Sequence, residues 1–322
     1  MLMVSVQDLD EAEQAVAGRA DIVDVKNLRE ATVGSNFPPV IKAVRSAIRK
    51  DIHVSVTLGV VPNQAGTVAL AVYGAAALDA TSVKVGFVGS DYPTALKILK
   101  DCRSALDGFR TKLIAATFAD SSLYGGIDPT LVVKLAKESR SDGMLIDTLT
   151  KDGRNLFDFV DETTLRGLII EGKEAGLSTA LSGALKMRDL DTLARLNPDI
   201  VGVRGAVCTN EDREEGKIAA SAVSAFKAEL EARMSGKIDV FATGAGVANG
   251  SFPILDGRGK NCQGIIAALE TTMPTVRTGS RVRLVVADVL NRYDVHAWAE
   301  RKGHTVVEER KVEQLYEMTI QK

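Results

Sequence analysis

The stretch ADIVDVKN, residues 20–27, is typical of a buried β-strand that carries charge on one face. Because strand side chains alternate with a period of two, Ile22, Asp24 and Lys26 share a face. A carboxylate and an ammonium that point into a protein interior both lose hydration, which is costly without a compensating partner or purpose. The pattern therefore predicts a strand whose inward face ends in a polar site.

Seven more apolar stretches have the pattern of a buried strand. They alternate with segments whose apolar residues have helical spacing, such as PVIKAVRSAIRK and DPTLVVKLAKES. This alternation indicates parallel strands joined by helices, and eight such units predict a (β/α)8 TIM barrel. A doubly wound open sheet is the alternative, but it usually has a glycine-rich turn after its first strand, and VSVQDLDEAE has none. The predicted strands are 2–6, 21–26, 53–59, 82–88, 112–119, 143–148, 178–183 and 200–206.

The composition and charge exclude several classes of protein. With 322 residues, 45% hydrophobic and 25% charged, the chain is an ordinary globular sequence, and its net charge of −2 argues against a nucleic-acid partner. No apolar run is long enough to cross a membrane, and MLMVSVQDLDEAEQA does not resemble a signal peptide. Three scattered cysteines, Cys102, Cys208 and Cys262, fit a reduced compartment. We therefore expect a cytoplasmic protein.

A second domain is predicted after the barrel. The glycine-rich segment ATGAGVANGS, residues 242–251, interrupts the pattern and is typical of a linker. Beyond it, predicted strands and helices alternate again over about 70 residues. The expected organisation is a catalytic barrel over 1–238, a linker over 239–251 and a small two-layer α+β domain over 252–322.

Charged side chains collect at the predicted carboxyl ends of the barrel strands, where barrel enzymes carry their active sites. A buried lysine near a second ammonium has a lowered pKa, and its amine can attack a carbonyl carbon to form a Schiff base. Each lysine taken alone could instead be an ordinary rim residue paired with an aspartate. So much charge at one end favours an active site, and the candidate catalytic residues are Asp24, Lys26, Lys84, Asp120, Asp147 and Lys151.

The loops after strands seven and eight, LSGALKM and VRGAVCTNEDR, are the usual phosphate-binding loops of this architecture. Their small residues would let a phosphate approach backbone N–H groups, although small residues also simply permit tight turns. Both interpretations stay open. The candidate phosphate-binding residues are Gly183, Ala184, Lys186, Arg204, Gly205 and Ala206. The histidines His53, His296 and His304 are too dispersed to suggest a metal site, and we expect neither a metal nor a redox cofactor.

Five blocks of sequence occur in order over about residues 1–230, namely DIVDVKN, GSNFPPVI, VKVG, LIDTLTKDGRNLFDF and DIVGVRGAVC. Together they resemble the archaeal (5-formylfuran-3-yl)methyl phosphate synthase family of methanofuran biosynthesis. The resemblance implies a barrel that acts as a carbon–oxygen lyase. It would condense two molecules of glyceraldehyde 3-phosphate through a lysine Schiff base, with loss of phosphate and water. It also implies that Lys26 is the Schiff-base residue and Lys84 the proton acceptor, and that Asp24, Asp147 and Lys151 match further active-site positions.

The sequence also departs from that family. The archaeal enzymes have a Gly-Gly pair after the cysteine of strand eight, where this chain has Thr209, Asn210 and Glu211, and AGSLK where it has SGALK. A carboxylate beside a phosphate site is unfavourable, so we expect one phosphate site to be weaker or shifted. The divergence and the fused domain suggest a bacterial relative that makes a methylofuran-type one-carbon carrier.

Residues 252–322 resemble TusA-like sulfur carriers, through LDGRGKNCQGIIAALE and DVLNRYDVHAWAERKGHTVVEE. That family has a Cys-Pro-x-Pro motif at the start of its first helix, where the helix N-terminus lowers the thiol pKa. Here Cys262 is kept but both prolines are replaced, in the sequence Cys262-Gln263-Gly264-Ile265. Either Cys262 is a reactive thiol, or the domain is a retained fold used for assembly or regulation.

Two other functions stay open at this point. A Schiff-base (class I) aldolase for another sugar phosphate would use the same lysines. A non-catalytic barrel fused to a sulfur-relay or assembly domain would use none of them. The leading hypothesis has a triose phosphate as its small-molecule substrate, and a homo-oligomer is expected.

Overall fold

The computed structural model describes residues 1–31, 33–235, 237–238, 240, 254–276, 278–312 and 315–322. These residues form two compact units. The first contains Met1–Asp189 with Pro198–Ala228, and the second contains Leu190–Asn197 with Glu229–Lys322. The linker predicted at 239–251 lies outside the described residues, apart from position 240.

Eight parallel strands close into a barrel in which each strand pairs with the next and the first pairs with the eighth. The predicted TIM barrel is thus confirmed, and the open sheet was the wrong alternative. The strands are β1 (Leu2–Val6), β2 (Ile22–Val25), β3 (His53–Val60), β4 (Ser82–Gly86), β5 (Lys112–Phe118), β6 (Gly143–Asp147), β7 (Ser178–Leu181) and β8 (Ile200–Val203). The helices that follow them are α1 (Leu9–Ala17), α2 (Pro38–Ala47), α3 (Ala65–Ala77), α4 (Tyr92–Ala105), α5 (Val132–Glu138), α6 (Glu162–Glu174), α7 (Leu190–Leu196) and α8 (Ala220–Met234).

The strands are buried on both faces, which explains their near-continuous apolar sequences. Ala116, Leu145 and Ala180 of three neighbouring strands form a small apolar cluster, packed against Ile114 and Ile200. Several outer helices begin at an aspartate whose carboxylate accepts a hydrogen bond from a backbone N–H of the first turn. These caps fix the residue at which each helix starts. They therefore also fix the length of the loop between each of these helices and the strand before it.

The last part of the chain forms a four-stranded sheet with two helices, as expected for a small α+β domain. Its elements are β9 (Ile254–Asp256), α9 (Cys262–Thr272), β10 (Arg281–Val286), α10 (Val289–Lys302), β11 (Thr305–Val312) and β12 (Leu315–Gln321). The strand order is β11-β12-β10-β9, with β9 and β10 parallel and the other pairs antiparallel. Ile265, Leu269, Trp298 and Met318 are central to its own apolar core. Among the described residues, no helix is long and apolar enough to span a membrane.

Candidate active site

Lys26 lies directly after β2, at the carboxyl end of the barrel, and its side chain is buried. Its backbone N–H donates to the carbonyl of Val6 at the end of β1, at 3.0 Å. Its own carbonyl accepts a hydrogen bond from the side-chain amide of Asn36, which also donates to the carbonyl of Gln7. The main chain at Lys26 is therefore held from the neighbouring strand and from the following loop, which fixes where the amine begins.

Asp24, on the inward face of β2, lies between the amines of Lys26, just after that strand, and Lys84 of β4. Its carboxylate is completely buried, 2.7 Å from the Lys84 amine and 3.7 Å from the Lys26 amine. The hydroxyls of Ser5 and Thr57 also donate to its two oxygens, at 3.2 and 2.9 Å. Burial alone would raise the pKa of Asp24, but the charges of Lys84 and Lys26 more than offset this and hold the pKa below its ordinary value. Asp24 is therefore a stable anion between two amines.

The Lys26 amine is less basic than an ordinary lysine. Burial is the main cause, and together with the positive charges of Lys84 and Arg213 it outweighs the attraction of Asp24 and Asp147, lowering the pKa of Lys26 to about 8. At pH 7 an amine of this pKa is uncharged in roughly one molecule in ten, against fewer than one in a thousand at the ordinary value of 10.5. A usable fraction of nucleophilic amine is thus present near neutral pH.

Asp147, the last residue of β6, forms the second carboxylate of the cluster. Its Oδ1 lies 3.4 Å from the amine of Lys151, which also donates to the carbonyl and hydroxyl of Thr148 at 2.6 and 2.9 Å. Burial would raise the pKa of Asp147, but the charges of Lys151 and Lys26 lower it to about 2. The structure therefore brings five of the six candidate catalytic residues into one network, Asp24, Lys26, Lys84, Asp147 and Lys151.

The sixth candidate, Asp120, takes a different position. Its buried carboxylate accepts hydrogen bonds from the backbone N–H groups of Leu149 and Thr150, at 2.9 and 2.7 Å, and from the hydroxyl of Tyr124 at 3.1 Å. Asp120 thus fastens the loop after β6, just before Lys151. With these partners its carboxylate is a support for the site rather than a group that faces a substrate.

Two cavities meet at Lys26 and Asp147. The larger, of about 260 Å³, extends toward the loops after β7 and β8 and is lined by Lys151, Ala184 and Lys186, among others. The smaller, of about 20 Å³, lies on the other side and is lined by residues that include Lys84, Thr57 and Phe118. The Lys26 amine therefore lies between a cavity that can hold a small molecule and one that has room for about one water molecule.

Most candidate phosphate-binding residues line the larger cavity, namely Ala184, Lys186, Arg204, Gly205 and Ala206. Gly205 and Ala206 begin a single helical turn, so their backbone N–H groups have no partner within it. Gly183 instead supports the loop. Its φ of +121° and a would-be Cβ only 3.0 Å from the Thr148 side chain both require glycine at this position.

The guanidinium of Arg204 is buried in the protein interior. It forms a buried two-point ion pair with Glu11 of α1, at 2.7 and 3.1 Å, and donates to the backbone carbonyls of Ser5, Arg213 and Gly216. The sequence predicted Arg204 as a phosphate ligand, but its guanidinium forms an ion pair inside the protein. The position of Arg204 after β8 is as expected, but its charge is compensated within the fold.

Two lining residues of the larger cavity, Arg213 and Glu211, were not among the candidate site residues predicted from the sequence. Arg213 is close enough to Lys26 and Asp147 to affect the pKa of both. Burial lowers the pKa of Arg213 itself, and Asp147 opposes that shift. Both residues belong to the loop VRGAVCTNEDR. The departure from the family pattern already predicted a carboxylate, Glu211, beside a phosphate site, whereas only the tertiary structure shows that Arg213 faces the cavity.

Cys262 is the first residue of α9, which belongs to the second compact unit. Its thiol is partly buried, and the side-chain amide of Asn197 lies 3.8 Å from the sulfur. Cys262 does not line either barrel cavity. Among the described residues, no group of three or more His, Cys, Asp or Glu side chains is arranged to hold a metal ion.

Comparison with known proteins matches the barrel to one family. A family model described as 4-HFC-P synthase matches residues 2–227. The chain is 41% identical over 230 residues to the (5-formylfuran-3-yl)methyl phosphate synthase of Methanocaldococcus jannaschii, an alignment that covers 70% of this chain and 98% of that protein. It is 39% identical over 233 residues to the protein of that name from Methanothermobacter thermautotrophicus, covering 72% of this chain and 99% of that protein.

Solved structures resemble the barrel in fold alone. A ligand complex of KGPDC from Streptococcus mutans has a TM-score of 0.51 at 17% identity, over 71% of this chain and 96% of that one. Ribulose-1,5-bisphosphate carboxylase/oxygenase from Pyrococcus horikoshii has a TM-score of 0.53 at 13% identity, over 73% of this chain and 58% of that one. The family match ends at residue 227, before the C-terminal sheet.

Proposed function

The chain belongs to the 4-HFC-P synthase family of enzymes, and from that membership we propose that it condenses two glyceraldehyde 3-phosphate molecules into (5-formylfuran-3-yl)methyl phosphate. The product would enter the biosynthesis of a methanofuran- or methylofuran-type cofactor. One observation carries the chemical part of this proposal. The buried Lys26 amine, partly uncharged near neutral pH, lies between two cavities and beside the Asp24–Lys84 pair.

The first step is formation of the Schiff base. Uncharged Lys26 attacks the aldehyde carbon of one triose phosphate to give a carbinolamine, and loss of its hydroxyl as water requires a proton. Lys84 is the proposed donor, because its ammonium lies 2.7 Å from Asp24 and on the wall of the cavity next to Lys26. Asp24 stabilises the positive iminium that forms on Lys26.

The same step prepares the base for the next one. Having given its proton to the leaving water, Lys84 is neutral and can take a proton from the carbon adjacent to the iminium. The resulting enamine attacks the aldehyde carbon of the second triose phosphate. Loss of one phosphate, ring closure and loss of two molecules of water then give the aromatic furan, and hydrolysis of the imine returns Lys26.

The phosphate of the bound triose is assigned to the larger cavity. Lys186 and the first N–H groups of the turn at Gly205 and Ala206 line it. Arg213 is the proposed second cation, in place of Arg204, whose guanidinium is paired with Glu11. An arginine suits this role because its planar group can donate two hydrogen bonds to phosphate.

Product analysis tests this function. With glyceraldehyde 3-phosphate as the substrate, we expect release of inorganic phosphate together with the ultraviolet absorbance of a conjugated furan aldehyde. Ordinary aldol adducts without phosphate release would favour the aldolase hypothesis. No consumption of triose phosphate by the folded protein would favour the non-catalytic hypothesis.

The C-terminal sheet has no part in this mechanism. Its resemblance to TusA-like sulfur carriers stays a prediction, and with both prolines of the motif replaced we propose a structural or assembly role for the domain. Cys262 is then not needed for furan formation.

A further inference from the structure

The loop after β8 brings a carboxylate to the cavity assigned to the substrate phosphate. Glu211 and Lys186 both line that cavity, and Glu211 Oε2 lies 3.5 Å from Lys186 Nζ. Lys186 is also the cation on the loop after β7 that the proposed function gives to the phosphate. The carboxylate therefore contacts the same amine that an incoming phosphate would contact.

The backbone holds Glu211 in this position. Asn210 and Glu211 have φ values of +57° and +53°, a left-handed conformation that residues other than glycine adopt only when the surrounding structure imposes it. The N–H of Glu211 donates to the carbonyl of Cys208, and the base of the loop is closed by the bond from Thr209 N–H to the carbonyl of Lys217. The loop fold thus fixes the point from which the Glu211 side chain leaves the main chain.

The pair between Glu211 and Lys186 differs from the other ion pairs of the site by its exposure. Lys84 with Asp24 is a buried pair and Lys151 with Asp147 a largely buried one, whereas the Lys186 and Glu211 side chains are 48% and 64% exposed. An exposed pair is weak and is easily exchanged for another anion. A phosphate dianion can therefore replace the carboxylate at Lys186, but it must do so against the remaining negative charge of Glu211.

We propose that Glu211 competes with the substrate phosphate for Lys186 and so weakens the affinity of this subsite. This inference rests on the proposed function for the identity of the substrate, but it concerns only the binding of a phosphate group. By holding Lys186 when the cavity is empty, Glu211 selects for ligands whose phosphate is charged enough to replace it. A neutral or singly charged group gains less from the exchange.

The test uses inorganic phosphate as the probe and titration calorimetry of the full chain as the readout. Glu211→Gln keeps the size of the side chain and removes its charge, and it should bind phosphate about three- to tenfold more tightly than the wild type. Glu215→Gln is the matched control, because Glu215 is exposed in the same loop and does not line the cavity. Its phosphate affinity should stay within about twofold of the wild type.

If Glu211 and phosphate compete for the Lys186 amine, a second result is expected. In a Lys186→Met background, the gain from Glu211→Gln should be clearly smaller than in the wild type, since the shared partner is gone. Unchanged or weaker phosphate binding in Glu211→Gln would overturn the inference, and so would an equal increase in phosphate affinity in Glu215→Gln. It would also be overturned if Glu211→Gln increased the phosphate affinity just as much without Lys186, or if no variant bound phosphate detectably. None of these outcomes depends on furan formation, so failure here is distinct from failure of the proposed reaction.

Discussion

Asp24 influences the protonation of the Lys26 amine, and its effect is opposite to that of burial. Burial lowers the pKa of the Lys26 amine to about 8, while the Asp24 carboxylate raises it and keeps it from falling further. Asp24 thus maintains a mixed population of charged and uncharged Lys26 near neutral pH. The two charges on the inward face of β2 are coupled in this way, and neither acts as a separate rim residue.

A pH profile tests this coupling. Because only uncharged Lys26 attacks a carbonyl, the rate of adduct formation should rise about tenfold per pH unit below pH 8 and level off above it. In Asp24→Asn the inflection should move to lower pH, since the carboxylate that favours the ammonium is gone, while turnover should fall by about two to four orders of magnitude. Asp152→Asn, an exposed change in the loop after β6, should leave the inflection in place. An unmoved inflection in Asp24→Asn would contradict the assigned electrostatics.

The residue pattern predicted which strand side chains point into the barrel, but it did not predict which residues they bind. The period of two correctly put Asp24 and Lys26 on the inward face, because the pleat leaves no other arrangement. It could not show that Arg204 meets Glu11, which is 193 residues away in the chain and reaches it only once the barrel closes. Nor could it separate Asp120, which supports a loop through backbone N–H groups, from the carboxylates that line the cavities.

At the scale of elements, the join between β8 and β1 closes the barrel. Their ladder is short, pairing three residues of each strand. Arg204, just after β8, adds a buried ion pair to Glu11 of α1 and a hydrogen bond to the carbonyl of Ser5 in β1. These contacts join the last strand to the first strand and first helix, so the arginine at this position stabilises the closure itself.

Glu11→Gln tests this structural role. Removing one partner of a buried ion pair leaves the other charge uncompensated, so the free energy of unfolding should fall by about 3–5 kcal/mol. Urea denaturation measures the change as a lower midpoint. Asp101→Asn breaks the largely exposed pair with Lys97 on α4 and should have little effect. Equal stability of Glu11→Gln and the wild type would show that the pair does not hold the closure.

Strand boundaries were predicted less well than strand identity. The second predicted strand includes Lys26, whereas β2 ends at Val25, and the eighth continues to 206, whereas β8 ends at Val203. In both cases the chain stays buried at the first residue beyond the strand, Lys26 or Arg204, although that residue is charged. Hydrophobic pattern reports burial, and burial continues past the point where hydrogen-bonded pairing stops.

For the whole molecule, the proposed chemistry needs only the barrel. The family match covers residues 2–227, and all residues that line the two cavities of the site lie within that range. The C-terminal sheet has its own apolar core around Trp298 and Met318. Its sequence predicted a separate α+β fold, but the altered Cys-Pro-x-Pro motif gave no decisive indication of its function.

Cys262→Ser tests whether the second unit contributes to the chemistry. Serine is nearly isosteric and suits the first turn of a helix, so the fold should be kept. We expect the rate of furan formation to stay within about twofold of the wild type, since the thiol lies outside both cavities. A loss of an order of magnitude or more in a folded variant would implicate the thiol in the reaction.

The central claim is that the Lys26 amine bonds covalently to the aldehyde carbon of a triose phosphate, and reductive trapping measures this directly. With glyceraldehyde 3-phosphate and borohydride, peptide mapping by mass spectrometry should find a single reduced adduct on Lys26. Lys26→Arg should give none, because a guanidinium stays protonated and forms no imine. An unmodified chain at saturating substrate, or an adduct on Lys84 or Lys151 instead, would contradict the account.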